Sequence, residues 1–186
     1  MSLTAAIHAR RSIKEFTSKP IVREEIERML DAAAQAPNHH LTQPWRFYVL
    51  GPEARRAFGE VLGRRKAKRV ESPEAAAAVI AKIADAHAAL PAFLVVATVV
   101  DDNPEIREED YAATMMAVQN LCLAAADTGL GTHIKSGAVM DDPDARVVFG
   151  VKDGERVVAM IELGEPARVP DPKGRKSATE LTTWVP

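Results

Sequence analysis

The segment that most constrains this chain runs from about Arg107 to Thr128. Between Met115 and Ala126 it reads MMAVQNLCLAAA, apolar on almost every side. A helix with no polar face has no side to show water, so it must lie at the centre of the fold or be shared with a second chain. Gly129 and Gly131 mark its end, because glycine accepts the left-handed backbone that closes a helix.

The rest of the chain is read around that helix. A short helix is expected over Leu3–Ala9. A second covers about Arg23 to Gln35, with Ile26, Met29, Leu30 and Ala33 on one stripe and Pro37 as its stop. Trp45 to Leu50 reads as a strand ended by Gly51-Pro52. Two charged, alanine-rich helices follow, about Glu53–Gly63 and Pro73–Ala89, with the segment from Gly63 to Ser72 between them as a candidate lid. Phe93–Val100 is a β-branched and aromatic run, expected to be a strand buried on both faces. A strand near Thr132–Lys135, a helix near Pro143–Phe149 and a strand over Arg156–Leu163 complete the pattern. The polar tail, Gly164 to Pro186, either wraps a partner subunit or lies loose. Interleaved helices and strands in 186 residues imply one layered α+β or α/β domain spanning 1–186.

Charge and composition exclude several classes. The formal net charge of −2 is unsuited to coating nucleic acid or an anionic membrane, so a bound anion needs a local cluster. The basic run Arg64 to Arg69 is balanced by acids elsewhere. The longest apolar run, Ala92–Val100, is far short of the roughly 20 residues that cross a bilayer. A single cysteine, Cys122, excludes an internal disulfide and fits a reducing compartment. The expected setting is cytoplasmic, with no membrane and no nucleic-acid partner.

Three clusters carry possible chemistry. Arg10-Arg11-Ser12 offers two guanidinium groups and a hydroxyl; paired arginine donors match the oxygens of a phosphate, though a solvated basic pair has the same sequence. The loop from Pro37, Asn38, His39 and His40 to Gln43 and Trp45 supplies amides and an apolar ring, as a flat heteroaromatic ligand requires; the alternative is an ordinary turn. Adjacent histidines do not easily reach one ion together, and no acidic or cysteine partner stands at ligand spacing, so no metal site is expected. The third cluster is Gly129-Leu130-Gly131-Thr132-His133-Ile134-Lys135. Its glycines permit close approach of backbone to a ligand, and Lys135 adds charge for a phosphate; as a helix stop it would need no ligand at all.

In order, these pieces resemble the nitroreductase-like FMN flavoproteins. Arg10-Arg11-Ser12-Ile13-Lys14-Glu15-Phe16 is similar to that family's opening. Ala36-Pro37 with Gln43-Pro44-Trp45-Arg46-Phe47 resembles its second motif. Ala126–Gly131 and Ile161–Pro166 resemble its later ones. The Asn38-His39-His40 form and the length are most similar to the compact YdjA-like branch. Lys14 and Lys135 depart from the pattern by replacing arginine, which keeps charge but loses the planar two-point grip.

The resemblance implies a mixed, mainly antiparallel sheet flanked by helices in an interlocked homodimer, with FMN at the interface. It implies that Arg10, Arg11, Ser12 and Lys135 hold the phosphate. Pro37, Asn38, His39 and Gln43 would line the flavin from the facing subunit, and Gly131, Thr132, His133 and Ile134 would pass along its ring system. NAD(P)H is implied as co-substrate, with ping-pong hydride transfer to a small acceptor such as a nitroaromatic or quinone. The flavin carries the chemistry, so no catalytic side chain is assigned. A flavin-consuming or dehalogenating relative, or a non-catalytic FMN-binding protein, would share the same site.

Overall fold

The computed structural model describes residues 2–186. Its elements are α1 (Leu3–Ala9), α2 (Arg23–Ala33), β1 (Trp45–Val49), α3 (Pro52–Ala67), α4 (Pro73–Ala88), β2 (Ala92–Val99), α5 (Pro104–Asp127), β3 (Gly131–Lys135), α6 (Pro143–Phe149), β4 (Glu155–Gly164) and α7 (Ala178–Leu181). The four strands form one antiparallel sheet in the order β1-β2-β4-β3. Parallel character enters through a single bridge, Ser12 to Thr132.

Strand alternation sorts the core into two layers. Leu94 and Val96 of β2 and Ile161 and Leu163 of β4 face α2 and α5. Phe93 and Val95 face the other way, onto Phe58 of α3 and Phe149 of α6. Side chains of period two do this wherever a sheet is covered on both sides. A bulge opposite Val96 and Ala97 turns Val158 and Ala159 both toward the α5 layer. Each buried valine, leucine, isoleucine or phenylalanine of these layers contributes roughly 1.5–3 kcal/mol by burial.

The long helix is held as its composition demands. Ala113, Ala117, Val118, Leu121, Cys122 and Ala125 are buried against the sheet and α2. It begins earlier than the apolar pattern shows, at Pro104, because Asn103 caps it by accepting from the Glu105 N–H at 3.0 Å. Its outer side leaves Met116 42% exposed.

The helix end expected at Gly63 is not where the structure has it. Gly63 does not end α3, which runs on to Ala67. A Cβ on Gly63 would sit 2.8 Å from the Ile80 Cα, and one on Gly59 would sit 2.6 Å from the Ala84 Cα. Both glycines exist to let α3 and α4 touch backbone to backbone. Arg64 and Arg65 then pair with Asp144 and Asp142 at 3.5 and 2.6 Å.

Candidate functional site

The chain start is stitched to the far edge of the sheet. Ile13 donates to the Thr132 carbonyl at 2.9 Å, Thr17 to Glu165 at 2.9 Å, and Ala167 back to Glu15 at 2.9 Å. The Thr17 hydroxyl and the Lys19 ammonium also bond the Glu165 carboxylate, at 2.9 and 3.0 Å. Two of the three sequence clusters, Arg10-Arg11-Ser12 and Gly131–Lys135, are thereby neighbours. Gly131 is required at this seam, since a Cβ there would meet the Ile13 Cγ1 at 2.4 Å.

Beside the seam lies an open cleft of about 850 Å³. Arg10, Arg11, Lys14, Arg168, Lys173 and Arg175 line it against only two carboxylates, Glu15 and Asp171, so its field favours an anion. Arg11 spends one nitrogen on the last carbonyls of α1, donating to His8 at 2.6 Å and to Arg10 at 2.9 Å. The Arg10 guanidinium has no hydrogen bond or ion pair among the described residues. Its charge reaches inward to Cys122. Burial pushes that thiol above its ordinary value, and the Thr132 hydroxyl and Arg10 only partly offset this, so Cys122 stays protonated.

Lys135 stands elsewhere. It is three residues along β3 from the Ser12 bridge, roughly 10 Å away, and is absent from the cleft lining. Its ammonium donates to Glu162 Oε1 at 2.6 Å, while His133 Nδ1 meets Glu162 Oε2 at 2.9 Å. Glu162 is 6% exposed, so this carboxylate is a buried fixture that orients two cation-capable side chains on the sheet edge. Thr132 is buried, and Ile134 points outward half-exposed.

The second cluster is built around α5. The buried Asp110 carboxylate accepts from Asn38 Nδ2 at 3.2 Å and from the Thr42 hydroxyl at 2.5 Å. Asn38 Oδ1 in turn accepts from the Gln43 N–H at 2.7 Å. These bonds hold Leu41 and Gln43 at φ of 52° and 47°, backbone that non-glycine residues seldom adopt. Pro37, His39 and Gln43 are left exposed at the surface.

The two halves do not meet within one chain. The loop leads into Trp45, whose row across the sheet is Thr98 and Arg156. Gly131 pairs with Gly164, eight residues further along β4 and three strands across. That is about 26 Å by about 14 Å. The helix gives the same answer, because Asp110 and Asp127 are about 26 Å apart along α5.

The family model for the nitroreductase family matches residues 7–165, which contain all three clusters. The chain belongs to the nitroreductase family. Within it, the chain is 34% identical over 170 residues to YfhC of Bacillus subtilis, provisionally named an NAD(P)H nitroreductase, covering 91% of this chain and 87% of YfhC. The crystal structure of a nitroreductase-like family protein from Bacillus cereus superposes with a TM-score of 0.86 at 29% identity, covering 100% of this chain and 96% of that one. A nitroreductase-like structure from Desulfovibrio desulfuricans, in complex with FMN, shares the fold with a TM-score of 0.75 at 22% identity, over 100% of this chain and 98% of that one.

In this nitroreductase-family chain, sequence reasoning passed over Lys173 and Arg175, which line the cationic cleft from the tail. The signal was the run Lys173-Gly174-Arg175-Lys176. It also passed over Glu162, whose place inside an apolar strand is itself a cue that a cation stands opposite.

Proposed function

We propose that the chain, acting as one domain over residues 1–186, is an FMN-dependent NAD(P)H oxidoreductase that works as a homodimer on small acceptors such as nitroaromatics or quinones. The observation that carries this reading is the split site. A cationic cleft made by Arg10, Arg11 and Ser12 lies beside β3, and a polar loop made by Pro37, Asn38, His39 and Gln43 is fixed at the opposite corner of the sheet, too far away to share a ligand with it. A two-fold dimer brings each cleft to the partner's loop. The exposed outer side of α5, including Met116, supplies apolar surface for that contact.

The residues present suit FMN. The cleft offers six cations, one of them an arginine without a hydrogen bond among the described residues, to a phosphate dianion. We assign the phosphate to Arg10, Arg11 and Ser12, supported by Lys173 and Arg175. Gly131, Thr132, His133 and Ile134 are assigned to the ring system, joined by Lys135, which Glu162 holds outside the cleft. FMN held there would supply two-electron chemistry between NAD(P)H and the acceptor, and one slot shared by both would give a ping-pong order. The chain's part is to grip the phosphate, to place positive charge near the ring through Lys135, and to close the slot with the partner's loop.

The test is direct. Purified protein should be yellow, or should take up added FMN, and should oxidise NADH or NADPH with a quinone or nitroaromatic, giving parallel double-reciprocal lines. Colourless protein that takes up no FMN overturns the reading.

A further inference from the structure

We propose that His39, His40 and Glu109 form a binding site for a divalent transition-metal ion of the zinc class. The site shares His39 with the loop assigned to the flavin, but it does not rest on that reading and its test reads metal binding.

In an extended chain, neighbouring side chains point to opposite faces, and two adjacent histidines diverge. Here they do not. Residues 39 and 40 lie in a turn, closed by Leu41 in the left-handed region at φ 52°. Both imidazoles therefore lie on one side, with ring centroids 4.3 Å apart and planes tilted by 32°. The long helix brings the acid that the local sequence lacks. Glu109 Oε2 is 3.1 Å from His39 Nδ1 and 3.0 Å from His40 Nε2.

The three ligand atoms all lie within 4.8 Å of one another. Tetrahedral zinc, with bonds of about 2.0–2.2 Å, sets its ligand atoms roughly 3.4 Å apart. Small side-chain rotations close that difference, and the backbone is already fixed. Asp110, next to Glu109, pins Asn38 and Thr42 on either side of the two histidines. Two imidazoles and one carboxylate make a borderline-soft set that suits zinc, copper or nickel and not magnesium or calcium, which prefer oxygen. Three protein ligands leave a fourth position for water.

The experiment is calorimetric titration of zinc chloride into untagged, FMN-loaded protein that has been stripped with chelator and dialysed. The expected result is one zinc per chain, no heat with magnesium, and binding weakened by on the order of tenfold or more in His40→Ala and in Glu109→Gln. Equal thermal stability of the variants, measured without metal, separates loss of a ligand from loss of the loop. Absence of saturable zinc binding, or wild-type binding in both variants, overturns the proposal.

Discussion

The backbone N–H of Ile13 donates to the carbonyl oxygen of Thr132 at 2.9 Å, and this one bond sets the arginines of the chain start against β3. Gly131 makes the approach possible, with Ile13 Cγ1 only 2.4 Å from where a Cβ would be. In Gly131→Ala the seam must open. The expected outcome is a loss of about 1–3 kcal/mol of stability from overpacking, together with weaker FMN retention on desalting. Unchanged melting and retention would show that the seam has slack.

Arg10 and Arg11 should separate on mutation despite being adjacent. Arg10 makes no hydrogen bond or ion pair among the described residues, so Arg10→Ala removes only its contact with a bound anion. A charge-assisted bond is worth about 1.5–3 kcal/mol, so FMN affinity should fall roughly ten- to hundredfold with the melting temperature of the FMN-free protein unchanged. Arg11 also closes the end of α1 through His8 and Arg10. Arg11→Ala should therefore lower that melting temperature as well. Fluorescence titration of FMN and thermal melts of the stripped protein check both.

Much of this arrangement was legible in the sequence, because strong local signals and the fold agreed. The helix Pro143–Phe149 and the strand at Trp45 came from punctuation by proline and glycine, and the long helix came from its apolar surface. Gly63 misled because a glycine that ends a helix and one that admits a neighbouring helix look alike until Ile80 is in place. The meeting of Glu109 with His39 and His40 was hidden for a related reason. Ligand spacing along the chain is silent about contacts 70 residues apart, which only the docking of the loop on α5 creates.

His87 should make stability sensitive to mild acid. It is 8% exposed, its Nδ1 bonds the Ile83 carbonyl at 2.8 Å, and its Nε2 is buried without a partner among the described residues. Burial pushes its pKa below the ordinary 6.5; the Ile83 carbonyl and Glu162 oppose this, and Lys135 and Lys66 add to it. Below pH 6.5 the unfolded chain therefore binds a proton that the folded one refuses. The contribution of the neutral ring is complete above about that pH and is lost as pH falls toward the folded value. Melting temperatures of wild type and His87→Phe should converge, or cross in favour of the variant, between pH 7 and 5. A difference that stays constant with pH would remove His87 as the cause.

The split site makes its strongest prediction in mixed dimers. One variant carries Arg10→Ala with Ser12→Ala, which disables the cleft. The other carries His39→Ala with Gln43→Asn, which disables the loop; asparagine is chosen because residue 43 sits at φ 47°, where it is tolerated. Either homodimer has two damaged sites. In a heterodimer with partner-completed sites, one site combines the damaged cleft with the damaged loop, and the other combines an intact cleft with an intact loop. Tandem-tag purification of the heterodimer should therefore recover one tightly bound FMN per dimer and close to half the wild-type turnover. If each site were completed within its own chain, both would carry a lesion, and the heterodimer would be as poor as its parents. The loop docks at Asp110 and the opposite end of α5, which leads into β3, lies about 26 Å away along the helix, so under the proposed split site the partner-completed outcome is the expected one.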